Sequence, residues 1–343
     1  MEARRIVTKG GQALAFTRLG LGGAPLGDLF DRLSPEQVRG TFAAALAAGI
    51  GVFDTSPHYG NGLSELRLGA ALREVPRDAL VVSTKVGRVM DPFARPEQTR
   101  ADVTAPGFAG GLPHRARFDY SYDGALRSVE QSLLRTGLDR FDVLMIHDCD
   151  VWTQGSDAID RVFGEAMEGA YPALDRLRRE GVVKAIGVGV NEGEMCERFA
   201  RAGDFDVMML AGRYSLLEQP ALTSFLPLAQ EKSIAIMLAG VFNSGILATG
   251  AVPGATYNYA PAPPDIAARV GRIEAVCRSH GVTLRQAALA FPLGHPAVAT
   301  LVLGAVRTQE VESNVADLAA KVPATLWADL KTERLLVADA PVP

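Results

Sequence analysis

An acid, a phenol, an amine and an imidazole stand at or just beyond the ends of apolar runs in this 343-residue chain. Asp54 ends I50-G-V-F and is followed by Tyr59, Lys85 ends L80-V-V-S-T, and His147 ends F141-D-V-L-M-I. Tyrosine can give and take a proton, but its ordinary pKa of about 10 is too high for easy exchange at neutral pH. A neighbouring cation lowers it, and Lys85 is the candidate, with Asp54 to orient the amine and His147 to direct a substrate oxygen toward the phenol. Such a set suits moving a proton at a carbonyl or alcohol oxygen. No side chain supplies hydride, so coupling that proton to oxidation or reduction implies a nicotinamide cofactor. Taken singly, a strand-end Asp is usually a cap, a Lys a solvated head and a His a satisfied structural residue. Unrelated capping needs would not gather all of them, with Asn191 at the end of K184-A-I-G-V-G-V, on one rim.

One rim requires elements that all end there. Short apolar runs begin near Thr17, Ile50, Leu80, Phe141, Lys184, Phe205, Ser233 and Ala299, and helical patterns lie between them. The pattern of S34-P-E-Q-V-R-G-T-F-A-A-A-L-A-A-G49 predicts a helix with Ser34 as N-cap, Pro35 in the first turn and Gly49 as the stop. Residues 124–136, 172–180 and 265–280 read similarly. Continuous Val, Ile and Leu runs are those of parallel strands covered on both faces. The chain is therefore expected to form an α/β fold, a (β/α)8 TIM barrel, as one domain over residues 1–343 with an extra C-terminal helix around Trp327. A doubly wound sheet would carry G-x-G-x-x-G in its first strand-to-helix turn, but G20-L-G-G-A-P25 puts proline at the last glycine position and no helix follows directly. The long connections 86–120 and 240–264, after the third and seventh barrel strands, are expected to roof the pocket.

Composition excludes other classes. With 48% hydrophobic and 22% charged residues and a net charge of −4, the chain has a core to build and no general attraction to nucleic acid. No apolar run reaches membrane-span length and the N-terminus lacks a signal-peptide core, so a cytoplasmic protein with a small-molecule partner is expected; the oligomeric state stays open. Cys149, Cys196 and Cys277 are widely spaced and read as free thiols. H147-D-C-D150 lacks metal-ligand spacing, and no metal is expected.

D54-T-S-P-H-Y59, S83-T-K85, I146-H147 and G187-V-G-V-N191 resemble the active-site and cofactor segments of the aldo-keto reductases. F118-D-Y-S-Y-D-G-A-L-R-S128, L138-D-R-F-D-V-L-M-I-H-D148, R213-Y-S-L-L-E-Q219 and F242-N-S-G-I-L247 resemble the branch of that family that dehydrogenates aldoses such as L-fucose, or pyridoxal. The resemblance implies Asp54, Tyr59, Lys85 and His147 as a catalytic tetrad. It implies NAD or NADP held in extended form by Gly22, Asn191, Tyr214, Phe242, Asn243, Ser244, Gly304, Arg307, Glu310 and Asn314. It also implies oxidation of a cyclic hemiacetal to a lactone, with Tyr59 as base, and His58, Asp148 and Trp152 are the substrate-side candidates. Ala211 stands where the family commonly has a Gln, and L238-A-G-V-F-N lacks the usual stacking aromatic.

Glu310 bears on the choice of dinucleotide. A carboxylate repels a 2′-phosphate but accepts a hydrogen bond from a ribose hydroxyl, so NAD is expected over NADP. Arg307 opposes this, unless it covers the adenine or pairs with Glu310. Two other functions use the same barrel: an NADPH-dependent aldehyde or ketone reductase with Tyr59 as acid, and a noncatalytic dinucleotide-sensing subunit.

Overall fold

The computed structural model describes residues 1–92 and 108–343. Strands β1 (Ala3–Val7) and β2 (Ala13–Thr17) form an antiparallel hairpin, and β3 (Leu19–Gly22), β4 (Val52–Asp54) and β5 (Val81–Val86) are the first three barrel strands. A second hairpin, β6 (Arg88–Asp91) with β7 (Arg115–Phe118), follows. The barrel continues through β8 (Val143–His147), β9 (Ala185–Val190), β10 (Val207–Ala211) and β11 (Ala235–Ala239). A short hairpin, β12 (Thr256–Tyr257) with β13 (Ala260–Pro261), precedes the last barrel strand, β14 (Val298–Gly304). The closed order is β10-β11-β14-β3-β4-β5-β8-β9, every neighbour parallel, which is the expected eight-stranded (β/α)8 barrel.

Each strand faces two cores. Inward residues such as Val52, Val81, Met145, Val207 and Met237 fill the barrel, and Leu14 and Phe16 of the β1–β2 hairpin join that inner cluster. Outward residues such as Phe53, Val82, Leu144 and Ile186 pack with the helices. Both faces are buried, which explains why these strands are apolar without interruption. The helix Pro35–Ala47 starts with a capping box between Ser34 and Gln37, with proline in its first turn.

Each long connection contains a hairpin. Phe108 bridges to Leu29, β6–β7 stands beside the barrel mouth, and the remaining part of the 86–120 connection, residues 93–107, lies outside the described residues. The 240–264 connection carries a short helix, Ile246–Thr249, and the β12–β13 hairpin, whose tip residues Asn258 and Tyr259 both have positive φ. The expected C-terminal helix is Ala324–Thr332, with Trp327 buried.

Helix packing is tightest at Gly69 in Leu63–Leu72, where an added Cβ would lie 1.9 Å from the Thr136 carbonyl oxygen of Tyr122–Thr136. Gly69→Ala is expected to cost about 1–3 kcal/mol or more through overpacking. By contrast, a Cβ at Gly271 in Pro264–Ser279 meets nothing within 4 Å, so Gly271→Ala should gain roughly 0.5–1 kcal/mol. Thermal unfolding of the two variants should move Tm in opposite directions; a neutral Gly69→Ala would contradict the close helix contact.

Candidate active site

The strand ends and the turn after β4 bring the four singled-out side chains together at the C-terminal mouth, with Asp54, Lys85 and His147 buried and Tyr59 half-buried. Lys85 is 1% exposed, and its Nζ donates to Asp54 Oδ2 at 2.7 Å and to the Thr55 carbonyl at 2.8 Å. Ser83 donates to the other Asp54 oxygen at 2.6 Å. The Lys85 ammonium sits 4.8 Å from the centre of the Tyr59 ring, and the His147 ring stands edge-on to Tyr59 with centroids 5.9 Å apart.

The imidazole is anchored at Nδ1. His147 Nε2 faces Asp148 Oδ1 at 3.2 Å, and Nδ1 lies 3.1 Å from the Ser56 hydroxyl. Ser56 Oγ already accepts from the His58 amide, so its hydroxyl proton is free to go to His147 Nδ1. The arrangement favours the tautomer protonated on Nε2. Burial, reinforced by the Lys85 and Arg88 charges, holds the His147 pKa well below the ordinary histidine value, so the ring is a neutral donor near pH 7.

Tyr59 corrects one expectation. Its pKa is raised well above the usual 10, first by removal from water and then by the negative fields of Asp54 and Asp148; Arg88 pulls the other way. Lys85 does not lower it as expected, because Asp54 neutralises the ammonium at 2.7 Å and the pair presents little net charge to the phenol. The phenol is therefore protonated in the protein alone.

Several side chains that complete the site were not singled out in the sequence. Arg88 reaches Asp148 Oδ2 at 2.7 Å while stacking on Phe118, and Tyr120 donates to the His147 carbonyl at 2.7 Å. His58, a substrate-side candidate in the sequence, packs edge-on against Phe108, and burial and Arg88 keep it neutral. Asp150 accepts from both the backbone N–H and the Nδ2 of Asn191, which fixes that amide, and caps the Val151–Gln154 turn through Thr153. The Cys149 thiol is buried and pushed up to about 12, so it is no nucleophile.

Next to this cluster runs a groove lined by Trp152, Asn191, Ala211, Gly212, Arg213, Gly240, Ser244 and Tyr259. Its floor is small: Gly212 and Gly240 both have positive φ, and a Cβ at Gly212 would meet nothing within 4 Å. With Nδ2 of Asn191 turned to Asp150, its amide oxygen is left for a ligand. Phe242 lies under the Arg285 guanidinium at 5.0 Å, and Arg285 donates to Asn314 Oδ1 at 2.8 Å, linking the groove to the region of β14. There Gly304 abuts Pro25, Arg307 is exposed at the start of the Thr308–Ala319 helix, and Glu310 turns to the Val306 N–H at 2.8 Å rather than to Arg307. Asn191 and the glycine floor would suit a flat ring, and Arg307 with Glu310 a charged, hydroxyl-bearing group, the two ends of a nicotinamide dinucleotide.

Two cofactor candidates are committed to other contacts. Tyr214 is 1% exposed and packs on Phe291 and His295, so it belongs to the core beneath the helices. Asn243 borders the groove, but its amide is engaged by Ser215, the Gly212 carbonyl and Glu218, so it braces the loops. Gly22 pairs with Gly304 and Asp54 across the strand ends, deep in the mouth. Among the described residues, no group of three or more His, Cys, Asp or Glu is placed to hold a metal.

His58, His147 and His295, the last pushed down to about 4, are all held neutral by burial. Such histidines bind protons more readily once unfolded, so their stabilisation is complete above pH 6.5 and is lost as pH falls toward the folded values. Tm should drop between pH 6.5 and 4, and His147→Gln should make that acid limb shallower. An equally steep limb in the variant would contradict a neutral buried His147.

The model of the aldo/keto reductase family matches residues 18–332. The chain is 42% identical to a D-threo-aldose 1-dehydrogenase of a Pseudomonas species, over 94% of this chain and 95% of that one. It is 39% identical to a pyridoxal 4-dehydrogenase of Microbacterium luteolum, covering 95% and 96% of the two chains. A solved aldo-keto reductase from Bacillus halodurans, in its holo form, shares the fold with a TM-score of 0.72 at 23% identity, covering 100% of this chain and 98% of that one. No helix among the described residues is long and apolar enough to cross a membrane. The barrel, the clustered strand ends and the family match over residues 18–332 together make this chain a member of the aldo/keto reductase family and an oxidoreductase.

Proposed function

We propose that this enzyme oxidises a cyclic hemiacetal to its lactone with NAD, the substrate being an aldose such as L-fucose or another D-threo-aldose, or pyridoxal. The observation that carries the reading is the buried Asp54–Lys85 pair beneath the Tyr59 ring, with neutral His147 edge-on to it. Names of the relatives support the substrate class, since aldoses and pyridoxal both exist as cyclic hemiacetals.

A bound oxidised nicotinamide would supply the hydride acceptor and a positive ring charge beside the phenol. Tyr59 takes the proton of the anomeric hydroxyl as its oxygen becomes the lactone carbonyl. His147 donates from Nε2 to that oxygen and holds it toward the phenol. Lys85, fixed by Asp54, keeps Tyr59 in place from below and disfavours a second proton at the site. Asn191, oriented by Asp150, and the Gly212–Gly240 floor would hold the ring end of the cofactor. Because the hemiacetal ring oxygen is already present, one oxidation completes the reaction.

Glu310 underlies the preference for NAD. With one carboxylate oxygen on the Val306 N–H, the other can accept from a ribose hydroxyl and would repel a 2′-phosphate. Wild type should turn over L-fucose faster with NAD than with NADP, and Glu310→Arg should shift that ratio toward NADP. A wild-type preference for NADP would instead favour the aldehyde reductase.

Tyr59→Phe keeps the ring and removes the proton acceptor. Turnover should fall by about two to four decades with cofactor affinity retained. Wild-type oxidation should rise with pH through the alkaline range, since only the unprotonated phenol accepts a proton and its pKa starts above 10. Retained turnover in Tyr59→Phe would remove Tyr59 from the chemistry.

A further inference from the structure

We propose that Asp148, positioned by Arg88, is the specificity-determining acceptor for a hydroxyl on the carbon next to the reacting one, so that the enzyme selects polyhydroxylated hemiacetals. The inference rests on the hemiacetal-oxidising reading above and goes further by naming what the substrate must carry. Asp148 follows His147 directly in sequence, and a carboxylate beside the imidazole that holds the reacting oxygen is adjacent to the position of the neighbouring hydroxyl. Oδ2 accepts from Arg88 at 2.7 Å, while Oδ1 lies 3.2 Å from His147 Nε2. A carboxylate has about four lone-pair sites, so acceptor capacity remains for a ligand donor.

The position is built rather than incidental. Asp148 adopts φ +52, a left-handed backbone uncommon for a residue with a side chain. Its N–H donates to the Gly189 carbonyl at 3.0 Å and its carbonyl accepts from Gln154 Nε2 at 2.9 Å, so the turn is fixed from both sides. Arg88 is itself fixed by stacking at 4.2 Å on Phe118 in the β6–β7 hairpin. The side chains of Arg88 and Asp148 are 8% and 13% exposed, which places their charges in a low-water setting where an unmatched acceptor is costly. After burial, the negative charge of Asp148 is among the causes that raise the phenol pKa of both Tyr59 and Tyr259.

A hemiacetal with a hydroxyl on the adjacent carbon donates to Asp148 while His147 donates to the reacting oxygen. A 2-deoxy sugar offers hydrogen there and leaves the carboxylate unmatched. A hydrogen bond to a charged group predicts discrimination of roughly 10- to 100-fold.

The test compares L-fucose with 2-deoxy-L-fucose, by kcat/KM with NAD and, separately, by direct binding to the protein with NADH present. Asp148→Asn and Asp148→Gly both suit a left-handed backbone, so either fold should survive. Wild type should prefer L-fucose in both measurements, Asp148→Gly should bring the ratio to about unity, and Asp148→Asn should fall between them. Arg88→Lys should preserve more of the ratio than Arg88→Met, because only the former can hold the carboxylate. If wild type binds with this preference but oxidises neither sugar, the specificity role stands and the oxidation reading fails. Equal binding of the two sugars by wild type, no binding of either, or an unchanged ratio in Asp148→Gly overturns the role of Asp148.

Discussion

The buried ion pair between Lys85 and Asp54 is the constraint on which the site depends. A charged amine and a carboxylate at 1% and 2% exposure are far from water, and breaking such a pair by removing one partner costs roughly 3–5 kcal/mol. The fold therefore supplies each member with a further partner: Ser83 donates to Asp54, and the Thr55 carbonyl accepts from Lys85. These partners come from two adjacent parallel strands and the turn after one of them. The same turn continues to Ser56, His58 and Tyr59, so satisfying the ion pair also sets the phenol over the amine and the Ser56 hydroxyl against His147.

A neutralised lysine behaves differently from a free one. It packs against the Tyr59 ring without lending the phenol a net positive field, and water exclusion then dominates, keeping the tyrosine protonated. Charge for the chemistry is thus divided. The pair under the ring is internally balanced, and a second buried pair, Arg88 with Asp148, lies beside His147. That division suits the proposed roles, with Tyr59 handling the proton and Asp148, held by Arg88, accepting from the rest of the substrate.

Much of this was legible in the sequence, for a physical reason. Strands buried on both faces need continuous Val, Ile and Leu, so their starts, such as Ile50, Leu80 and Phe141, lie within two residues of β4, β5 and β8. Polar residues ending those runs mark the mouth. The Arg88–Asp148 pair was not legible because its members are 60 residues apart and meet only through the β6–β7 hairpin. Tyr214 was misplaced because its neighbour Arg213 does line the groove, and chain proximity does not tell which of two adjacent side chains turns inward. The Tyr59 pKa was read with the wrong sign since the sequence shows a nearby lysine but not how completely Asp54 cancels it. The inner β1–β2 hairpin went unread, although G10-G11 between two short alternating segments signals its turn.

The most direct measurement follows the hydrogen on the anomeric carbon. L-Fucose deuterated there, incubated with the enzyme and NAD, should give one deuterated NADH for each lactone formed. Label remaining on the sugar product, or two NADH per sugar, would contradict oxidation of the hemiacetal at that carbon.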